Sequence, residues 1–214
     1  MRRDALEIHW LGHDGFRLEC DELTVYVDPF RVQAGPPAHL ILITHEHDDH
    51  CDPTSVAALA AEGTLIVAPR ACARRLRQPI RVIAPGETAI VAGVPVEAVP
   101  AYNVRRPFHP REAGGVGYLL ELAGERIYHA GDTDFIPEMQ ALPPVDVALL
   151  PVSGTYVMDA DEAVEAARAI RPRCAIPMHW GAIVGTRADA ERFAQRLRGE
   201  VEVAILAPEA VAMA

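Results

Sequence analysis

Short hydrophobic runs, separated by turns rich in proline and glycine, recur along the whole chain. Runs of four to six apolar or β-branched residues between such turns are typical of strands. The predicted strands are Glu7–Trp10, Phe16–Cys20, Thr24–Val27, Leu40–Thr44, Leu65–Ala68, Arg81–Ile83, Val96–Val99, Gly117–Leu122, Arg126–His129, Val147–Leu150, Cys174–Pro177 and Glu202–Leu206. The 18 prolines and 15 glycines keep these elements short.

Helices are fewer and have clear end signals. Asp52 is placed to cap the first helix, which takes a proline in its first turn and a glycine after its end. The third helix has apolar residues at i, i+3, i+4 and i+7. The predicted helices run from Pro53 to Gly63, from Asp159 or Asp161 to Ile170, and from Ala190 to Leu197.

Strands dominate both halves of the chain, and helices are inserted between them. Two sheets packed face to face, with helices outside, would bury this pattern. The sequence shows no linker, low-complexity segment or internal repeat. A length of 214 residues suits one domain with a substantial core. We therefore expect a single α/β domain over residues 1–214.

Composition narrows the range of partners. The formal net charge of −10 disfavours nucleic acid, which is usually bound by a basic surface. No apolar run approaches the roughly 20 residues of a membrane span, and no signal peptide is recognisable. The four cysteines are scattered, which favours a reducing compartment. We expect a cytoplasmic protein with a small-molecule substrate; a homo-oligomer is left open.

One polar tract stands out directly after the apolar run Leu40–Ile43. It reads Thr44-His45-Glu46-His47-Asp48-Asp49-His50, with three histidines and several carboxylates where a buried strand ends. Imidazole nitrogens and carboxylate oxygens are standard zinc ligands, and a catalytic zinc keeps one position open for water. A hydrophobic strand gains nothing from such an ending, so the tract predicts a metal site.

The order of these and later motifs resembles the metallo-β-lactamase superfamily. The resemblance runs from Trp10-Leu11-Gly12-His13 through Val27-Asp28-Pro29 and the H-x-H-x-D-H tract to His179-Trp180-Gly181. A narrower similarity to one branch lies in Gly12-His13, Gly131-Asp132-Thr133, Leu149-Leu150-Pro151-Val152 and Ile176-Pro177-Met178-His179. Within the superfamily the chain is most similar to the small metal-dependent hydrolases that include L-ascorbate-6-phosphate lactonase and N-acyl phosphatidylethanolamine phospholipase D. The resemblance implies a four-layer αββα sandwich with the metals at one edge.

The resemblance also implies a ligand set for two divalent ions. Zinc is the expected metal, and manganese is the alternative. His45 and His47 would bind the first ion together with a third histidine. Asp49, His50 and His179 would serve the second ion, and Asp132 would bridge both. These ligands are His45, His47, Asp49, His50, His109, Asp132 and His179, with Asp49 and Asp132 also expected to be catalytic.

The third histidine of the first site has two readings. His109 lies between His50 and Asp132 within the usual window of the family. In the lactonase and phospholipase relatives, however, the ligand closely follows an alanine, and the corresponding position here is Asn103. We expect His109 to be the ligand, with Asn103 as the alternative ligand, as a donor behind it or as a substrate contact.

Other residues are candidates for supporting roles. Asp28 matches the buried aspartate that supports the histidine loop in the superfamily. His13 is expected to contact the rim of the site or the substrate, or to cap a turn. Arg105 and Arg106 flank His109 and suit a substrate phosphate, or they belong to an exposed basic loop. Tyr156 is a candidate for an apolar wall.

The expected reaction is hydrolysis by a metal-activated water. Paired ions would lower the pKa of that water and stabilise negative charge on a carbonyl or phosphoryl oxygen. No G-x-S-x-G elbow is present, which argues against a serine nucleophile. We expect an ester-type bond, such as a phosphodiester or a lactone. The alternatives are a di-iron redox protein and a non-catalytic metal-binding protein of the same fold.

Overall fold

The computed structural model describes residues 1–3 and 5–209. The N-terminal half of the chain forms a seven-stranded sheet in sequence order. Neighbouring strands from β1 to β4 are antiparallel to one another, and neighbouring strands from β4 to β7 are parallel. The strands are β1 (Arg2–Arg3), β2 (Leu6–Gly12), β3 (Gly15–Cys20), β4 (Leu23–Val27), β5 (Ala38–Leu42), β6 (Ala60–Ala68) and β7 (Arg81–Val82).

The C-terminal half repeats this plan in a second seven-stranded sheet. Its first strands form antiparallel hairpins, and the strands from β11 onward are parallel. The strands are β8 (Thr88–Val91), β9 (Val94–Pro100), β10 (Val116–Leu122), β11 (Glu125–His129), β12 (Val147–Pro151), β13 (Cys174–Met178) and β14 (Glu202–Val203).

The alternation of side chains along β5 divides the core of the first sheet. Leu40 and Leu42 belong to the large core that also contains the second sheet. Ile41 and Ile43 point to the opposite face and pack in a smaller core with Val56 of α1 (Pro53–Leu59). A period of two along a strand places successive side chains on opposite faces. The first sheet is therefore covered inside by the second sheet and outside by α1.

Helices α2 (Ala160–Ile170) and α3 (Arg187–Arg196) cover the outer face of the second sheet. Of the two residues expected to open α2, Asp159 and Asp161, Asp159 is the cap. Its carboxylate accepts the N–H of Glu162 in a capping box. Together with α1 these helices complete the four-layer αββα sandwich, so the expected fold is confirmed. Among the described helices none is long and apolar enough to cross a bilayer.

The first helix is shorter than the sequence predicts. It ends at Leu59, and β6 begins at Ala60 rather than at Leu65. Ala60 has extended backbone angles and pairs with Ala38 on β5. The hydroxyl of Thr64 accepts the N–H of Ala61 and donates to the carbonyl of Ala38. These bonds hold the segment in the sheet and outweigh the helical signal of its alanines.

Other differences lie at sheet edges. Strands β1 and β8 were not expected, and the predicted strand Glu202–Leu206 is reduced to Glu202–Val203. The two-residue strand β1 gains its assignment from its pairing with β2. Strand β1 pairs with β2, and β8 with β9, across short turns, and such short edge segments have too little hydrophobic alternation to be recognised from the sequence.

Arg171 offers a test of the helix end that precedes β13. It follows α2 in the left-handed conformation, with φ +54°, and this costs a side chain with a Cβ about 1 kcal/mol. We expect Arg171→Gly to unfold in urea with a free energy about 1 kcal/mol higher than Arg171→Ala. Equal stabilities of the two variants would show that the backbone there carries no such cost.

Candidate metal centre

The carboxyl ends of the parallel strands of both sheets meet at one edge of the sandwich, and loops after these strands carry the predicted ligands. Asp28 follows β4, the His45–His50 loop follows β5, Asp132 follows β11 and His179 follows β13. Open α/β sheets commonly bind ligands at such an edge. The topology thus gathers residues that are far apart in sequence.

A buried carboxylate joins the histidine loop to the first sheet. Asp28 accepts hydrogen bonds from the N–H of Thr44 at 2.8 Å and from its hydroxyl at 2.5 Å. It also lies 2.8 Å from Nδ1 of His50. All three residues are fully buried. Three donors on one carboxylate fix both ends of the loop and orient the His50 ring.

Three histidines converge as the first ligand group. Nδ1 of His47 lies 3.0 Å from Nε2 of His45 and 3.1 Å from Nε2 of His109. Oδ2 of Asp132 lies 3.3 Å from Nε2 of His109 and 3.9 Å from Nε2 of His45. Ligand atoms about 2.0–2.1 Å from a tetrahedral zinc would be about 3.3 Å apart. The spacing of these donors therefore fits a zinc-sized ion.

Asp132 also faces a second group. Its Oδ1 lies 3.3 Å from Nε2 of His50, and its Oδ2 lies 3.4 Å from Nε2 of His179. Nε2 of both histidines and Oδ1 of Asp132 are buried without a hydrogen-bond partner. Buried polar atoms are rarely left unsatisfied. Three such atoms facing one another fit a bound cation.

The backbone before Asp132 is closely packed. Gly131 has φ +64°, and a Cβ there would lie 2.8 Å from the carbonyl oxygen of Val116. Its N–H donates to Nδ1 of His129, whose Nε2 lies 2.9 Å from the carbonyl of Asp14. His129 therefore supports the Asp132 turn from behind and does not point at the ligand groups.

The ring nitrogens that face away from the two groups have partners of their own. Nδ1 of His179 lies 2.9 Å from the Ser153 hydroxyl, and Nδ1 of His45 lies 3.0 Å from the Thr44 hydroxyl. Nδ1 of His50 is held by Asp28. Such partners fix the orientation of a metal-binding imidazole and leave the other nitrogen available. The sequence did not single out Ser153, because its contact with His179 is made in three dimensions.

The pKa values of the histidines in the site are shifted in two opposite directions. Burial lowers the pKa of His45 and His109, which keeps both rings neutral as metal binding requires. Burial also opposes charge on His179, yet the Asp132 carboxylate outweighs it and raises the His179 pKa to about 9. Asp132 likewise raises the pKa of His50 against the effect of burial. A divalent cation would replace these protons as partner of Asp132.

His13 lies inside the site rather than at its rim. Its ring is fully buried, and Nε2 lies 3.0 Å from Oδ2 of Asp49. Burial raises the pKa of the Asp49 carboxyl, but the bond to His13 and the charge of His50 outweigh it and leave the pKa below its usual range. His13, Asp49, His50 and His179 form one compact donor group.

Asp14 is a further buried carboxylate that the sequence analysis left without a role. Both of its oxygens lack a hydrogen-bond partner, and it groups with His50, Asp132 and His179. Burial raises the pKa of its carboxyl well above the usual value. Its position between two glycines, Gly12-His13-Asp14-Gly15, was the available signal, but a turn aspartate has many ordinary explanations.

The Asp134 carboxylate holds the loop that carries His109. The Asp134 carboxylate accepts the N–H groups of Val104 and Arg105 at 2.8 Å each and forms an ion pair with Arg106. The Arg106 guanidinium also pairs with Glu162, which Arg105 approaches at 3.5 Å. The positions of Arg105 and Arg106 therefore do not suit a contact with the substrate. Arg106 forms ion pairs within the protein, and Arg105 projects into solvent.

Asn103 stands behind His109. Its Nδ2 donates to the carbonyl of Tyr156 at 2.6 Å and lies 3.4 Å from Nδ1 of His109. Nε2 of His109 faces His47 on the other side of the ring. The geometry thus gives His109 the position of a ligand and Asn103 the position of a neighbour that holds its ring.

A cavity of about 510 Å³ opens over both donor groups. The ring of Tyr156 lies on its wall, 4.8 Å from that of Phe108 in an edge-to-face arrangement. The cavity is lined by Phe30, Arg31, His47, Asp48, Asp49, Phe108, His109, Asp132, Tyr156 and Ile183. A small molecule in this cavity would touch ligands of both groups and an apolar wall.

Comparisons with known proteins agree with this site. A model of the β-lactamase superfamily domain matches residues 7–179. A protein of Thermoplasma acidophilum described as a UPF0173 metal-dependent hydrolase is 36% identical, with 96% of each chain covered. The crystal structure of a Parabacteroides distasonis protein, provisionally designated a metal-dependent hydrolase, superposes with a TM-score of 0.85 at 34% identity, covering 94% of this chain and 92% of that one.

A more distant structure extends the comparison. The metallo hydrolase Igni18 of Ignicoccus hospitalis is 25% identical, with a TM-score of 0.77 and 95% of each chain covered. The domain match spans every predicted ligand, from His45 to His179. On this evidence the chain belongs to the metallo-β-lactamase superfamily.

Proposed function

We propose that the protein is a metal-dependent hydrolase with two divalent ions, zinc first and manganese as the alternative. The observation that carries this proposal is the set of buried, unpartnered donor atoms around Asp132. The two close relatives whose names describe metal-dependent hydrolases support it. An all-nitrogen and oxygen donor set suits either metal, and imidazole favours zinc.

We assign the ligands by the two donor groups. His45, His47 and His109 would hold one ion, and Asp49, His50 and His179 would hold the other. Asp132 faces both groups and would contribute to both sites. His13 keeps Asp49 oriented through its 3.0 Å contact, and Asp28 does the same for His50 at 2.8 Å. Each ligand is thus backed by a residue that restricts its rotation.

When bound, the two ions supply a water that is nucleophilic at neutral pH and stabilise negative charge on the substrate. Asp49 lines the cavity, where its carboxylate orients the water and receives one of its protons. The water oxygen bonds to the carbonyl carbon or phosphorus, and the ester C–O or P–O bond breaks. The departing oxygen then takes the proton from Asp49.

The bond we propose is of the ester type, in a phosphodiester, a lactone or a related small molecule. An open cavity with a partly apolar wall admits such a substrate, and Tyr156 forms part of that wall. The four cysteines are scattered along the sequence without a C-x-x-C spacing, which suits the reducing cytoplasm that we propose for this protein. Iron in the purified protein would favour the redox alternative over hydrolysis.

The first prediction concerns metal content and Asp132. We expect the purified protein to bind up to two zinc ions per chain, measured by elemental analysis after zinc loading. Because Asp132 faces both donor groups, Asp132→Ala should lose metal and ester hydrolysis together. Glu22→Ala, an exposed acidic residue, should retain both. Full metal content and activity in Asp132→Ala would contradict the assignment.

The second prediction separates His109 from Asn103. His109→Ala should abolish turnover and remove one ion, because imidazole is a far better zinc donor than a carboxamide oxygen. Asn103→Ala should cost about 10–100-fold in metal affinity or activity, as is typical of a residue that orients a ligand. The reverse order, with metal lost only in Asn103→Ala, would make Asn103 the ligand.

The third prediction tests the support given by Asp28. In Asp28→Asn the amide cannot accept all three hydrogen bonds, so His50 loses its fixed orientation. We expect zinc affinity to fall about 10–100-fold in a chelator competition titration. Glu22→Gln is the matched exposed control. An unchanged affinity in a folded Asp28→Asn protein would show that the His50 contact is dispensable.

A further inference from the structure

Among the described residues, Arg31 is the one arginine that lines the cavity above the donor groups. Its guanidinium carbon lies 4.7 Å from the centre of the Phe30 ring. Within residues 1–3 and 5–209 no carboxylate forms an ion pair with it, whereas Arg75 pairs with Asp48 and Arg106 with Asp134. A guanidinium stacked on an aromatic ring keeps its N–H edge free for a planar anion.

The backbone at this position is held in place. Arg31 has φ +56°, a left-handed conformation that a residue with a side chain rarely adopts. Its N–H donates to Oδ2 of Asp52 at 3.1 Å, and the next N–H, of Val32, donates to the Ser55 hydroxyl at 2.8 Å. Asp52 also caps α1. These contacts with the start of α1 thus fix the backbone position from which the Arg31 side chain extends.

Apolar side chains complete the same cavity. Phe108 is 41% exposed and Ile183 is 47% exposed, although both are large hydrophobic residues. With Phe30 and Tyr156 they surround the space between Arg31 and Asp132. Exposed apolar groups around a cavity mark a ligand site. Of the other two acidic residues in the wall, Asp48 is engaged by Arg75 and Asp49 contacts His13.

We propose that Arg31 binds a free acid group of the substrate, and that Phe30, Phe108, Tyr156 and Ile183 hold an apolar or aromatic body between this acid group and the scissile bond. The substrate is then a small ester or lactone that carries a carboxylate or phosphate away from the reacting centre. This inference rests on the proposed hydrolase function. The net charge of −10 disfavours anions over the protein as a whole, so Arg31 adds local positive charge to that of the proposed metal ions.

The test compares two esters on the zinc-loaded, full-length protein. One is 4-nitrophenyl hydrogen glutarate, which has a free carboxylate, and the other is neutral 4-nitrophenyl butyrate. Arg31→Met should lower kcat/KM for the glutarate about 10–100-fold, chiefly through KM, because a charge-assisted contact is lost. The butyrate should change much less. Arg31→Lys should restore part of the preference, since it restores the charge.

Two further variants control the experiment. Arg31→Gly suits the left-handed backbone and removes the side chain without strain, so its agreement with Arg31→Met excludes a folding effect. Arg74→Met removes an exposed arginine outside the cavity and should behave as wild type. Equal losses for both esters, or no loss for either, would overturn the role of Arg31.

A binding measurement separates this inference from the hydrolase proposal. Benzoate, phenyl phosphate and neutral benzamide are titrated calorimetrically into the zinc-loaded wild type and Arg31→Met. A loss of about 10–100-fold in affinity for benzoate or phenyl phosphate, with no loss for benzamide, supports the acid site. The anion with the larger loss is the acid group that Arg31 prefers. This result without ester turnover would reject hydrolysis yet retain Arg31. Anion binding that is identical in both proteins would reject Arg31 even if esters are hydrolysed.

Discussion

The Asp28 carboxylate is the interaction on which the rest of the site depends. It is fully buried and takes hydrogen bonds from two groups of Thr44 and from His50. Without these donors a buried carboxylate would be costly, and without the carboxylate the loop after β5 would lose two contacts of Thr44 and the contact that orients His50. One residue therefore sets both the path of the histidine loop and the rotation of its last ring.

That arrangement creates a problem of charge. Asp28, Asp49 and Asp132 are crowded around His50, and among the described residues the buried Asp14 beside them has no hydrogen-bond partner on either oxygen. Protons on His50 and His179 offset part of this negative charge, as their raised pKa values show. Divalent cations offset it more fully, because they bind neutral imidazoles and bring two positive charges each. Metal affinity and the stability of this edge of the sandwich are therefore linked.

The sequence was most informative where a residue's position follows from the fold itself. The segment after β5 and Gly131-Asp132 lie at strand ends, and the strand order brings strand ends together whatever the loops do. It was less informative where ion pairs between residues distant in sequence determine the position of a side chain. The position of Arg106 near His109 in sequence suggests either a substrate contact or an exposed basic loop, but Asp134 and Glu162 engage it. Arg31 was overlooked, since the left-handed turn that directs it into the cavity leaves no mark in the hydrophobic pattern.

This contrast has a physical basis in how the two parts of the site are supported. Most ligands follow directly after β strands and are held by buried contacts such as Asp28–His50, where small shifts would leave polar atoms unsatisfied. The cavity wall is carried by loops, and Phe108 and Ile183 there are largely free of the core. Loops tolerate substitution far better than packed sheets do. The metal chemistry is thus expected to follow from the fold, whereas the proposed contact of Arg31 depends on loop positions that the fold alone does not set.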